Sequence, residues 1–162
     1  MRSQLRHSTP LSGGRTKPVS PDYVAGLTDG EGCFYVLVKS PCNQNGGAIV
    51  QLSFLIKVKE EDKIILDKVR NALGCGAVYF QKEKRINHSQ CYRYTVNSHR
   101  DVIEKIVPFF RKYPLQSVSK KNNFKIFCEI ARLVEKGKHH SKEGIEEIKK
   151  LKSQMNHRTG LA

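Results

Sequence analysis

Two carboxylates two residues apart, Asp29 and Glu31, lie among glycines in the run Tyr23-Val24-Ala25-Gly26-Leu27-Thr28-Asp29-Gly30-Glu31-Gly32. Ser20 as N-cap, Pro21 at the first helical position and Asp22 in the first turn start this run as a helix. The helix breaks two ordinary rules. Gly26 in its interior and Gly30 one turn later each cost about 1 kcal/mol relative to Ala. Asp29 and Glu31 fall at the C-terminal end, where the macrodipole is negative and each acid costs roughly 0.3–1 kcal/mol. A bound cation would reverse the sign of the second penalty, and small residues four apart leave a flat groove for close backbone packing. Local rules fail most often at functional sites, so this segment is the candidate active site.

The surrounding chain limits what such a site can act on. Its 162 residues suffice for one domain with a real core. Against 29 Lys and Arg stand only 15 Asp and Glu, a formal charge of +14, so a polyanionic partner is expected. Nucleic acid is favoured and a membrane is not, because no segment approaches about 18 consecutive apolar residues. Five cysteines, Cys33, Cys42, Cys75, Cys91 and Cys128, are odd in number and form no C-x-x-C pair, which argues against a disulfide framework or zinc ribbon. Cys128 sits in the apolar run Phe124-Lys125-Ile126-Phe127-Cys128, where a reduced thiol behaves as a small core residue. His88-x-x-Cys91 is too little for a zinc site. An intracellular reducing compartment follows, an organelle (chloroplast or mitochondrion) or a bacterial cytoplasm.

The elements that must position the acids can be read in order. Residues 1–19 carry Arg2, Arg6, Arg15 and Lys17 with no acid and no apolar periodicity, a flexible basic arm whose composition is compatible with a transit peptide, a fusion remnant or a DNA-contacting tail. A single domain spans 20–156, and 157–162 form a tail. Cys33 to Lys39 reads as a strand, and Ala48 to Lys59 as a second one across the Asn43-Gln44-Asn45-Gly46-Gly47 turn. Glu60 to Leu73 is a helix stopped by Gly74. Gly76 to Lys82 and Cys91 to Asn97 form a second hairpin about a basic loop containing Arg85. Ser98 and Asp101 suggest a capping box for a helix to about Arg111, bent or ended near Pro108. Helices over Ser119 to Glu135 and Ser141 to Met155 complete the chain, the last with Ile145, Ile148, Leu151 and Met155 on one stripe.

The fold class is therefore α+β, in the order αββαββα with extra C-terminal helices. Two hairpins can join into one four-stranded antiparallel, saddle-shaped sheet with helices on one face. In the second strand Val50, Leu52, Phe54, Ile56 and Val58 point to the core, and only Ile49 and Leu55 interrupt the polar side. The exposed face would present Gln51, Ser53, Lys57, Lys59, Gln81, Lys82, Arg93, Thr95 and Asn97, a mixture suited to base edges and phosphates.

Val24-Ala25-Gly26-Leu27-Thr28-Asp29-Gly30-Glu31-Gly32 resembles the signature of the LAGLIDADG homing endonucleases, with Val24 for the leading Leu, Thr28 for an apolar residue and Glu31 for the metal-binding acid. The element order over residues 20–156 is similar too, as are Phe54-Leu55-Ile56-Lys57-Val58, Leu73-Gly74-Cys75-Gly76 and Tyr113-Pro114-Leu115 before Lys120 and Lys121. The resemblance implies a site-specific double-strand DNA endonuclease whose signature helices pack together and set each terminal acid beside a scissile phosphate. One signature per chain implies a symmetric homodimer packed through Ala25, Gly26 and Gly30, on a pseudo-palindromic duplex. Glu31 and the Gly30 carbonyl would bind Mg²⁺, or another divalent cation such as Mn²⁺, with Asp29 as a further ligand or a brace for the helix end. Lys120 or Lys121 would lie near the charge developing on the phosphate. Alternatives on the same fold are an RNA-binding maturase assisting intron splicing and a non-catalytic DNA-binding regulator; intact Glu31 favours cleavage.

Overall fold

The computed structural model describes residues 16–39, 47–84 and 88–155. Most of the expected N-terminal arm, the 157–162 tail, Cys42, Arg85 and all of the first hairpin turn but Gly47 lie outside them. Helix α1 (Pro21–Glu31) starts as its sequence dictates, with the Ser20 hydroxyl accepting the Tyr23 N–H at 3.2 Å. Strand β1 (Gly32–Lys39) follows without a loop. Gly32 permits this: it is already extended at φ −76°, and a Cβ there would come within 2.7 Å of the Thr28 carbonyl oxygen and collide with the Thr28 methyl. The last glycine of the signature is therefore a steric requirement of the helix-to-strand junction.

Strands β2 (Ile49–Lys59), β3 (Ala77–Gln81) and β4 (Cys91–Val96) complete one antiparallel sheet in the order β1-β2-β4-β3. The two hairpins join through β2 and β4, with Lys57 opposite Arg93 and Phe54 opposite both Phe34 and Val96. Between the hairpins, a 3-10 turn over the three acids Glu60–Asp62 leads into α2 (Lys63–Leu73), which ends at the left-handed Gly74, φ 67°. Its buried Leu66, Val69 and Leu73 lie on the apolar stripe read from the sequence.

The core lies between the sheet and the helices. Phe34, three residues beyond Glu31, meets the rings of Phe54, Phe110, Phe124 and Phe127 at centroid separations of 5.1–5.5 Å. Aromatic contacts of this kind add about 0.5–1.5 kcal/mol each beyond burial, so the strand leaving the candidate site is firmly anchored. Tyr94 is fully buried on the same side and its hydroxyl donates to the Cys75 carbonyl at 2.8 Å.

The helix after β4 runs past Pro108 to Lys112. Its opening turn α3 (His99–Asp101) passes through a π-helical stretch, Val102–Ile106, into α4 (Val107–Lys112). Pro108 has no N–H for the residue 104 carbonyl, and the widened turn, with the Val107 N–H on the Val102 carbonyl, absorbs that loss before the proline. The cap is single and not reciprocal: Ser98 accepts the Asp101 N–H at 3.2 Å, while the Asp101 carboxylate pairs with Lys105 at 3.3 Å. Helices α5 (Val118–Glu135) and α6 (Lys142–Ser153) follow, capped by Ser117 and Ser141. The folded part begins before Ser20: Asn71 donates to the Thr16 carbonyl at 2.8 Å, and Val19 packs against the core. No helix among the described residues is long and apolar enough to cross a membrane.

Candidate active site and nucleic-acid face

The two acids of α1 have different surroundings. Asp29 is half-buried and both of its oxygens are occupied: Oδ2 accepts the Gln116 N–H at 2.8 Å and Oδ1 the Ser117 N–H at 3.1 Å. It anchors the start of α5, the bracing role that the sequence offered beside that of a further ligand. Glu31 is exposed and meets no hydrogen-bond or ionic partner among the described residues.

Because Asp29 fixes residues 116–117, and the Ser117 hydroxyl accepts the Lys120 N–H at 3.3 Å, the first turn of α5 points one lysine at the junction. The Lys120 ammonium donates to the Gly32 carbonyl, one residue beyond Glu31. Lys121 is exposed on the next position round the helix and has no such contact. Cys33, also at the junction, has a thiol pushed up by burial, with the charges of Lys120 and Arg93 drawing it back down. The Lys120 ammonium thus reaches the junction of α1 with the sheet, one residue from Glu31 and close enough to Cys33 to influence its thiol.

Along α1 the buried face carries Val24, Ala25 and Thr28, the Thr28 hydroxyl donating to the Val24 carbonyl at 2.7 Å. Ala25 therefore faces the protomer's own core, which corrects its assignment to a contact with a second chain. Gly26 and Gly30 face outward, and a Cβ on either would meet nothing within 4 Å. With Tyr23, 45% exposed, they form a shallow apolar stripe at helical spacing.

The open face of the sheet follows the pairing register. Gln51, Lys57, Lys59, Arg93 and Gln81 lie on it, and Lys57 opposes Arg93, which opposes Tyr79. Ser53 and Thr95 share this face but are buried, and Ser53 donates to Asn97 Oδ1 at 2.8 Å, so these two hydroxyls pack within the sheet instead of standing free for base edges. Lys82 lies past the end of β3 and is exposed. It cannot share the alternation of Gln81, because adjacent strand residues point to opposite faces. Lys57 reaches Glu83 at 3.8 Å, which steers its ammonium. Arg85 lies outside the described residues. Sequence reading missed Tyr35 and Tyr79, respectively 40% and 57% exposed on the same face. Period-two alternation from Cys33 and from Gln81 would have found both.

A sheet with one polar face, and an acid and a lysine at its helix junction, define an α+β scaffold with a candidate site at the end of its first helix. The model of the LAGLIDADG endonuclease family matches residues 24–131, and the chain belongs to that family. The solved homing endonuclease I-TnaI superposes with a TM-score of 0.74 at 35% identity, over 86% of this chain and 89% of that one. I-SmaMI bound to cleaved DNA superposes with a TM-score of 0.77 at 30% identity, over 91% of this chain and 48% of the other. Among curated relatives, a probable intron-encoded DNA endonuclease 1 of Mycosarcoma maydis is 32% identical over 68% of this chain, and a probable intron-encoded endonuclease 2 of Neurospora crassa 29% over 85%. The chain spans 37% and 29% of the lengths of those two proteins.

Proposed function

We propose that the protein is a site-specific double-strand DNA endonuclease of the homing type, acting as a homodimer on a pseudo-palindromic duplex with divalent metal. The observation that carries this reading is the α1–β1 junction, where Lys120, from an element far along the chain, donates to the Gly32 carbonyl next in sequence to Glu31, an exposed acid with no partner among the described residues. The dimer is supported by the outward Gly26 and Gly30 and by length, since one copy covers about half of the DNA-bound I-SmaMI chain.

The residues present fit a metal only as a shared site. Among the described residues no cluster of three or more His, Cys, Asp or Glu could hold an ion. Glu31, with the Gly30 carbonyl, offers part of a hard oxygen shell, and a second copy's acid and a phosphate oxygen would complete it. A cation bound there, Mg²⁺ or Mn²⁺, supplies Lewis-acid activation of water and neutralises the leaving oxygen. Glu31 holds that position, while Lys120 sets a positive charge beside the phosphate, where negative charge grows in the transition state. Asp29 contributes indirectly by fixing the turn that aims Lys120. On the sheet, Lys57, Lys59 and Arg93 would meet phosphates, and Gln51, Gln81 and Asn97 base edges.

The test is selection of cleaved sites from a random duplex library with Mg²⁺. Recovery of a two-fold symmetric site is the expected result; absence of cleavage with any divalent metal would overturn the reading.

A further inference from the structure

The four strands contain no Asp or Glu. The open face nevertheless holds a carboxylate, because Glu83, two residues past the end of β3, lies back against Lys57 at 3.8 Å. The second hairpin builds this placement from its backbone. Gln90 Oε1 accepts the Glu83 N–H at 3.0 Å and Gln90 Nε2 donates to the Glu83 carbonyl at 3.4 Å. The Gln90 carbonyl in turn accepts the Glu60 N–H at 2.9 Å, which ties the hairpin to the end of β2. Within the carboxylate, Oε1 accepts the Lys84 N–H at 3.1 Å and Oε2 is the oxygen towards Lys57. The Glu83 side chain is 14% exposed and that of Lys57 38%, so the acid is held and the lysine is the partner with room to move.

A fixed carboxylate on a face that meets a polyanion lowers affinity for every duplex alike, unless something in the right duplex donates to it. Without DNA its role is electrostatic. Lys57 and Arg93 are directly opposed in the β2–β4 register, like charges that repel across a strand pair, and Glu83 offsets that repulsion. A backbone phosphate at Lys57 takes over the neutralisation, and Glu83 Oε2 then turns to the base edges. In the major groove the cytosine N4 amino group is the donor that a carboxylate accepts. Guanine O6 and N7 and thymine O4 are acceptors that repel it, and adenine offers its amino group only beside the N7 acceptor.

We propose that Glu83 is a specificity-determining residue that reads a cytosine in each half-site, exchanging Lys57 for the cytosine amino group as Lys57 passes to a phosphate. The inference rests on the duplex lying on the open sheet face, as in the function proposed above, and not on cleavage. Lys57 then supplies affinity and Glu83 discrimination.

The test uses the full chain without divalent metal. Duplexes of 30 base pairs retained from a random library are sequenced for the native chain, Glu83→Gln and Lys57→Gln, and affinities are read by anisotropy across a salt series. The native chain should enrich cytosine at two positions related by the two-fold axis of the site, with about tenfold weaker binding when one of them is changed to guanine or thymine. Glu83→Gln keeps an acceptor for the Lys84 N–H; it should lose the cytosine preference and bind unselected duplex more tightly. Lys57→Gln should keep the preference and reduce the log–log salt slope by about 0.9 for each subunit bound. An unchanged cytosine preference in Glu83→Gln would overturn the proposal and leave the duplex reading intact, whether or not its thermal melt shifts, because a role confined to offsetting Lys57 and Arg93 moves stability and not base choice. A native chain that retains no duplex would overturn both.

Discussion

The inner and outer faces of α1 use the same few residue types to opposite ends. On the inner side every group is committed: Val24, Ala25 and Thr28 are buried, and Asp29 spends both oxygens on the backbone of residues 116–117. On the outer side Gly26, Gly30 and Glu31 are exposed and unpartnered among the described residues. Two acids two residues apart thus divide into one that holds the fold and one that the fold leaves free. An acid at a helix C-terminus is unfavourable unless compensated. Asp29 is compensated inside the chain, by two N–H donors, and Glu31 only by something that arrives from outside.

Substitutions at four positions probe that division. The largest effect that the inner side transmits is expected at Lys120, which it positions for the outer one: Lys120→Ala should lower single-turnover cleavage about 10²–10³-fold, as loss of a preorganised charge does, with duplex affinity within about twofold. A change confined to affinity would make Lys120 a phosphate contact only. Next, Asp29→Ala removes the acceptor of two backbone N–H groups and should cost about 2 kcal/mol in urea denaturation, with cleavage reduced because Lys120 loses its aim. Unchanged stability would erase the distinction between the two acids.

Gly26 gives a change of opposite signs. Its added Cβ meets nothing, so Gly26→Ala should stabilise the monomer by up to about 1 kcal/mol through helix propensity, whereas Gly26→Leu should shift sedimentation towards monomer at micromolar concentration. A dimer undisturbed by Leu would remove α1 from the interface. The smallest effect on stability is expected at Glu31 itself. Glu31→Gln should leave stability unchanged or raise it by about 0.3–1 kcal/mol, by removing a charge that the macrodipole opposes. A destabilised Glu31→Gln would mean that this acid is structural after all.

What the sequence disclosed follows the range of the interactions concerned. The Ser20 cap, the Gly74 stop and the core side of β2 depend on neighbours within a turn or on strict alternation, and all three were legible. The choice between Lys120 and Lys121 was not, because it rests on Asp29 binding the backbone of Gln116, 87 positions away. Ala25 was misassigned for a related reason: small residues near a glycine stripe look equivalent until the helix is rotated onto its sheet. The passage through Pro108 was hidden because a one-residue widening of the helix leaves no mark in apolar spacing. Ser53 and Thr95 alternate correctly onto the open face, yet their burial depends on neighbouring strands that the pattern of one strand does not describe.

The central claim is that Glu31 is free because its partner is a metal ion at a phosphate. Its most direct test compares Glu31→Gln with the native chain on a site selected from the random duplex library, measuring binding and Mg²⁺-dependent single-turnover cleavage on the same samples. Binding within about twofold and cleavage lower by roughly 10³-fold or more is the predicted result. Cleavage by Glu31→Gln at the native rate would contradict it.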